Sequence, residues 1–176
     1  MNEIIAFFTD VPLSFRTSIL LGGIMFFWIL EGVIPLYSFN YKKTKHAITN
    51  LFFTLTTAII GFGLAFILLK STIFVTQNKI GIIHLFDIPL SVQVILSLLI
   101  LDLIGAYLVH FIEHKVPWMW KFHLVHHSDM NVDVTTGLRH HPGETVFRIS
   151  FTILGVYVSG ASIGMVMLYQ SLSVLF

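Results

Sequence analysis

The sequence predicts an all-α, multi-pass transmembrane helical bundle of about four apolar segments, topped by a cytoplasmic histidine-rich cap. Three observations carry that expectation. Of 176 residues, 56% are hydrophobic and 11% charged, and the mean hydropathy is +0.87, a composition that excludes an ordinary soluble domain. The apolar runs each reach the roughly 20 residues needed to cross a hydrocarbon core of about 30 Å. Seven of the nine histidines fall between His110 and His141.

The first run covers about residues 17–37. Its flank holds Glu3, Asp10 and Arg16, so with an acidic lead and no small-residue cleavage site it is expected to be a retained span rather than a signal peptide. Lys42, Lys43 and Lys45 follow it, and the positive-inside rule places them in the cytoplasm and the N-terminus outside. The second run covers about residues 47–69. Residues 77–89 are too short, and too broken by Gly81 and Pro89, to cross; an interfacial or re-entrant piece on the outer side is expected there.

The third run, about residues 90–112, returns to the cytoplasm near His110, where Lys115, Lys121, Arg139 and Arg148 add a second basic region on the same side. Trp118 and Trp120 fit an interfacial aromatic belt. The last run, about residues 145–176, carries Gly155, Gly160 and Gly164, which let it bend into a short hairpin or pack as one tilted helix; the hairpin is favoured. Without an internal repeat or long linker, residues 1–176 form one membrane domain.

The histidines come as His110-Phe-Ile-Glu-His114, His123-Leu-Val-His126-His127 and Arg139-His140-His141-Pro142. On a helix, an i, i+4 pair is offset by about 40° and about 6 Å. His110 and His114 therefore share a face, and His126 and His127 flank His123. Five imidazoles can converge, and imidazole is the commonest nitrogen ligand for transition metals. The competing reading is an amphipathic basic surface helix, which the three clustered motifs make the poorer account. Nearby carboxylates are few: Glu113, Asp129, Asp133 and Glu144. That sets the site apart from glutamate-built di-iron bundles. The absence of cysteine excludes thiolate zinc, iron–sulfur and disulfide chemistry.

Other polar residues are expected to play supporting parts. His46 and His84 are isolated and read as interfacial. Glu31 and Asp102 lie inside apolar runs and need partners; a helix-packing hydrogen bond is expected for Glu31. Asp102 precedes His110 by eight residues, about 12 Å along a straight helix, so it is expected behind the ligands rather than among them. Arg139 is expected to pair with Glu144 in preference to a lipid phosphate.

The stretch from Asp102 to Glu144 closely resembles the integral-membrane fatty acid hydroxylase and sterol desaturase superfamily. Asp102, Tyr107, His110 and His114 carry the first motif, Trp120-Lys-Phe-His123-Leu-Val-His126-His127-Ser128 the second, and Thr135-Thr-Gly-Leu-Arg139-His140-His141-Pro142-Gly-Glu144 the third. The resemblance implies a di-metal centre, with two irons expected and zinc possible in purified protein. With dioxygen as co-substrate and electrons from a separate donor protein, that centre would hydroxylate or desaturate a fatty-acyl or sterol C–H bond.

It implies His110, His114, His123, His126, His127 and His141 as metal ligands, with His140 less constrained, and Asp102, Arg139, His140 and Glu144 as supporting residues. The family pattern continues with further histidines, including another HxxHH-type box, whereas this sequence ends at Phe176. The chain is thus expected to be the N-terminal part of a hydroxylase-like domain: truncated, completed by another chain or a second copy, or a degenerate member that binds metal without turnover. Transport is disfavoured because the histidines lie beyond the third span rather than at mid-membrane. A bis-histidine haem does not explain HxxHH. Nothing suggests a nucleic-acid partner.

Overall fold

The computed structural model describes residue 7, residues 12–35 and residues 41–173, and every regular element among them is helical. The N-terminal flank that bears Glu3 and Asp10 lies outside the described residues. Helix α1 spans Leu13–Val33 and α2 spans Lys43–Gln77. At 1.5 Å per residue α2 is about 50 Å long, so it overshoots a bilayer core, and its first turn stands in the polar cap. Its hydroxyl side chains do not stay unsatisfied in apolar surroundings. Thr54, Thr57, Ser71 and Thr72 bond back to carbonyls three or four residues earlier.

After a 3-10 turn at Ile82–His84, a second long rod is built from α3 (Leu90–Asp102), a π-helical segment (Leu103–Leu108) and α4 (Val109–Lys115). Stretches 43–84 and 90–115 are each long and apolar enough to cross a membrane, at a mean hydropathy of 2.3. Only 6% of the most apolar window in the first is buried. That exposure is unlike the core helix of a soluble protein and leaves a large apolar surface for lipid. Val116 is extended and Pro117 follows it, which ends α4 and begins α5 (Pro117–His127), because proline restrains its predecessor and suits the first helical position.

A 3-10 turn at Val134–Leu138 links α5 to α6 (Pro142–Ser159), and α7 (Ile163–Ser173) completes the described chain. The last apolar run is thus two helices broken at Gly160, as the bent alternative requires, and not one tilted helix. Gly160 caps α6 with φ +91°, a left-handed conformation that side chains resist. Gly81, at φ +106°, approaches the Gly160 backbone so closely that a Cβ would collide with it. The segment around residues 77–89 is therefore a folded turn locked onto the end of α6.

Helix α6 lies along α2, the π segment and α3, while α7 packs on α3 and α2. Gly105 in the π segment lets α6 come close, since a Cβ there would lie 3.2 Å from Thr152 Oγ1. The apolar core gathers Leu68 and Val75 of α2, Val94 and Leu101 of α3, Val156 of α6 and Val166 of α7. It occupies the end of the bundle away from the clustered histidines, around which Ala47, Val109 and Met119 are the buried apolar residues and polar contacts are numerous.

Candidate metal centre

The turn at Val116 folds α5 back against α4 and brings the first two histidine motifs face to face. Ring centroids lie 4.7 Å apart for His110–His114, 4.7 Å for His110–His123, 4.8 Å for His114–His127 and 4.7 Å for His123–His127. One nitrogen from each of these four rings falls within 4.8 Å of the others. Trp120 forms a wall, 5.0 Å from His114 and 5.3 Å from His127. This indole belongs to the site as well as to any interfacial belt. Trp118 instead points away, 56% exposed and edge-on to Phe147.

Behind the cluster sits a buried carboxylate pair. Glu113, Glu144 and His123 are fully buried, and Glu144 Oε1 accepts from His123 Nδ1 at 3.1 Å, His140 Nδ1 at 3.0 Å and Arg148 Nε at 2.8 Å. Arg148 also reaches Glu113 Oε2 at 3.4 Å. Burial alone would raise the Glu144 pKa, but the His140 hydrogen bond together with the charges of His140 and Arg148 outweighs it and brings the carboxyl down to about 2. An ionised Glu144 only accepts hydrogen bonds, so His123 carries its proton on Nδ1 and turns the Nε2 lone pair into the cluster.

There His123 Nε2 meets His127 Nε2 at 3.0 Å. Two ring nitrogens so close require a proton or a cation between them. Burial lowers the His123 pKa to about 4, with the charges of His110 and His127 acting the same way against Glu144, so the ring is neutral at pH 7, the form that ligates metals. Glu113 Oε1, Glu144 Oε2 and His126 Nδ1 are buried with no hydrogen-bond partner. Imidazole lone pairs and idle carboxylate oxygens in one place fit a transition-metal centre.

The six expected ligands do not all meet. His126 lies beside the four-ring group, 5.8 Å from His123 and 5.3 Å from His127, and stacks on His140 with centroids 4.8 Å apart and planes 5° apart. Burial, His140 and His127 lower its pKa. His141 caps α6, its Nδ1 accepting from the Gly143 N–H at 3.0 Å, and its ring lies against Phe122. Asp102 is exposed at the head of the π segment, and its carboxylate makes no hydrogen bond or ion pair among the described residues.

Three further expectations are revised by the geometry. Arg139 does not pair with Glu144. Its Nε donates to the Val125 carbonyl at 3.0 Å and its Nη2 to Ser128 Oγ at 3.1 Å, because it stands beside the free end of α5, while Arg148, one helical turn after Glu144, takes the carboxylate. His46 is not merely interfacial: its Nε2 lies 2.8 Å from Asp129 Oδ1 and its Nδ1 3.0 Å from Asp133 Oδ2. Glu31 serves a loop as well as the neighbouring helix α2. It accepts from the Val134 N–H at 3.0 Å and pairs with Lys43 at 3.6 Å.

Sequence reasoning named Glu113 without assigning it a role and overlooked Arg148 as a site residue. The i, i+4 spacing of Glu144 and Arg148 was the available signal. No local signal reveals His46, which lies more than 80 residues from its partners.

Comparison with known proteins matches residues 94–176 to the fatty acid hydroxylase family. The chain is also similar to an ornithine lipid hydroxylase, OlsE, of Rhizobium tropici, at 34% identity over 73 residues. That alignment covers 42% of this chain and 22% of the relative, so the chain represents only a fraction of that protein's length. No solved structure matches. Through the stretch that carries the converging histidines, the chain is thus similar to the fatty acid hydroxylase family.

Proposed function

We propose that this chain carries the metal-binding part of a membrane lipid hydroxylase that inserts oxygen from dioxygen into an acyl-type C–H bond at a histidine-ligated, di-iron centre, with electrons from a separate protein. The observation that supports it most is the convergence of His110, His114, His123 and His127 with His123 Nε2 turned inward by Glu144. The match of residues 94–176 to the fatty acid hydroxylase family and the similarity to a lipid hydroxylase point the same way.

The four imidazoles would hold the metal, with His126 and Glu113 or Glu144 beside them, and bound iron would supply the dioxygen-dependent oxidising power. The chain's own contributions are physical. Glu144 and Arg148 fix the His123 tautomer, and Trp120 shields one side of the cluster from water. Tyr107 and Phe111, both exposed, stack on each other at 6.4 Å on the rod that carries His110 and offer an apolar approach for a chain arriving from the bilayer. By the positive-inside rule the cap faces the cytoplasm and the N-terminus faces outside.

Metal analysis of detergent-purified protein tests the reading, beside a variant with His123, His126 and His127 changed to alanine. About two irons per chain, lost in the variant, are expected, together with lipids that gain one oxygen atom in cells producing the unaltered chain. Metal without oxygenated lipid would leave a binding protein and remove the hydroxylase reading. Absence of metal from the unaltered chain would remove both.

A further inference from the structure

We propose that His46 is a positioning residue for the histidine cluster, clamping the loop between the second and third histidine motifs to the start of α2. The inference rests on the reading of the cluster as a metal centre, and the loop's own contacts carry it. In the first turn of α2, the His46 ring is 9% exposed. It faces Asp129 with one nitrogen and Asp133 with the other, at 2.8 and 3.0 Å. Asp129 stands two residues beyond His127. Asp133 caps the 3-10 turn, accepting from Thr135 N at 2.8 Å.

Everything else in the network converges on the same eleven residues, 129–139. Tyr41 donates to Asp133 Oδ2 at 2.9 Å, Thr136 to Asp129 Oδ2 at 2.8 Å and Asn50 to Thr135 Oγ1 at 2.8 Å. Glu31 takes the Val134 N–H. The turn ends on Arg139, whose Nε binds the Val125 carbonyl inside the last turn of α5, where carbonyls lack helical partners. His140 follows directly and binds Glu144.

A line of hydrogen bonds therefore runs from His46 through the two aspartates to the end of α5 that carries His126 and His127, and on to the residue beside Glu144. The buried residues of the loop itself, Asp133, Thr135 and Thr136, are all polar, so hydrogen bonds rather than apolar packing hold it in place. The imidazole at 46 anchors it by bridging two carboxylates whose side chains are buried. Nothing in this role requires His46 to touch metal or substrate.

Hydrogen–deuterium exchange and cobalt(II) binding test the proposal on full-length protein in detergent. The set comprises the unaltered chain, His46→Ala, His46→Gln and Val75→Ala, the last a core truncation at the far end of the same helix. His46→Ala is expected to lose exchange protection at residues 123–128 and 133–139, to change the visible spectrum of bound cobalt and to weaken its binding about 10–100-fold. His46→Gln, which still donates to one aspartate, is expected to recover part of that loss. Val75→Ala should lower stability while leaving the cobalt spectrum and the protection of 123–128 intact.

Unchanged protection at 123–128 in His46→Ala would overturn the proposal, as would an equal change in Val75→Ala. If the unaltered chain takes up no cobalt, the metal reading falls, and the exchange pattern still decides whether His46 positions the loop.

Discussion

Single oxygens and nitrogens organise the cap. Glu144 Oε1 collects three donors, so Glu144→Gln, which keeps the shape and removes the charge, is expected to free the His123 tautomer and weaken metal binding about 10–100-fold; competition titration against a chelator measures it. Asp133 permits a pH prediction. Burial opposes its ionisation, yet hydrogen bonds from Thr135 and Tyr41 and the proximity of His46 hold its pKa below the ordinary 3.8. A carboxyl depressed on folding stabilises fully above its unfolded value and loses that contribution as pH falls through the folded one. The stability advantage of the unaltered chain over Asp133→Asn should therefore be flat at neutral pH, at about 1–3 kcal/mol, and shrink below pH about 4. An advantage unchanged down to pH 2 would contradict it.

Helices and turns set the phase of these residues. A straight α-helix through residues 102–114 would fix the angle between Asp102 and His110, but the π segment at Leu103–Leu108 shifts that phase, as π turns at functional sites do. This is why Asp102 stands outside while His110 and His114 face α5. The turn between α6 and α7 depends on Gly160. An added Cβ there would lie 2.8 Å from the Ile80 carbonyl oxygen as well as strain a φ of +91°. Gly160→Ala is expected to destabilise the bundle by about 2 kcal/mol or more, read as a lowered unfolding midpoint in detergent. A midpoint equal to that of the unaltered protein would show that the Gly81–Gly160 contact is dispensable.

For the whole molecule, sidedness is open to direct measurement because the sequence contains no cysteine. Single cysteines at Lys45 and Asn78, at opposite ends of α2, should react from opposite faces of a sealed vesicle, Lys45→Cys from the cytoplasmic side; labelling of both from one side would refute α2 as a span. Composition and run length were enough to establish a helical chain with spanning-length apolar segments, because those properties are additive along the sequence and need no partner. Helical spacing likewise showed that His110 pairs with His114 and His123 with His127, since 3.6 residues per turn is a local constant. What spacing could not separate was His126 from His127, which differ by one residue: His127 joins the four-ring cluster, whereas His126 stacks on His140 beside it. Only the tertiary structure decided that, along with the transfer of Glu144 from Arg139 to Arg148 and the entry of His46 into the cap. Each is a contact between segments distant in the chain, and burial determines which charges must find one another.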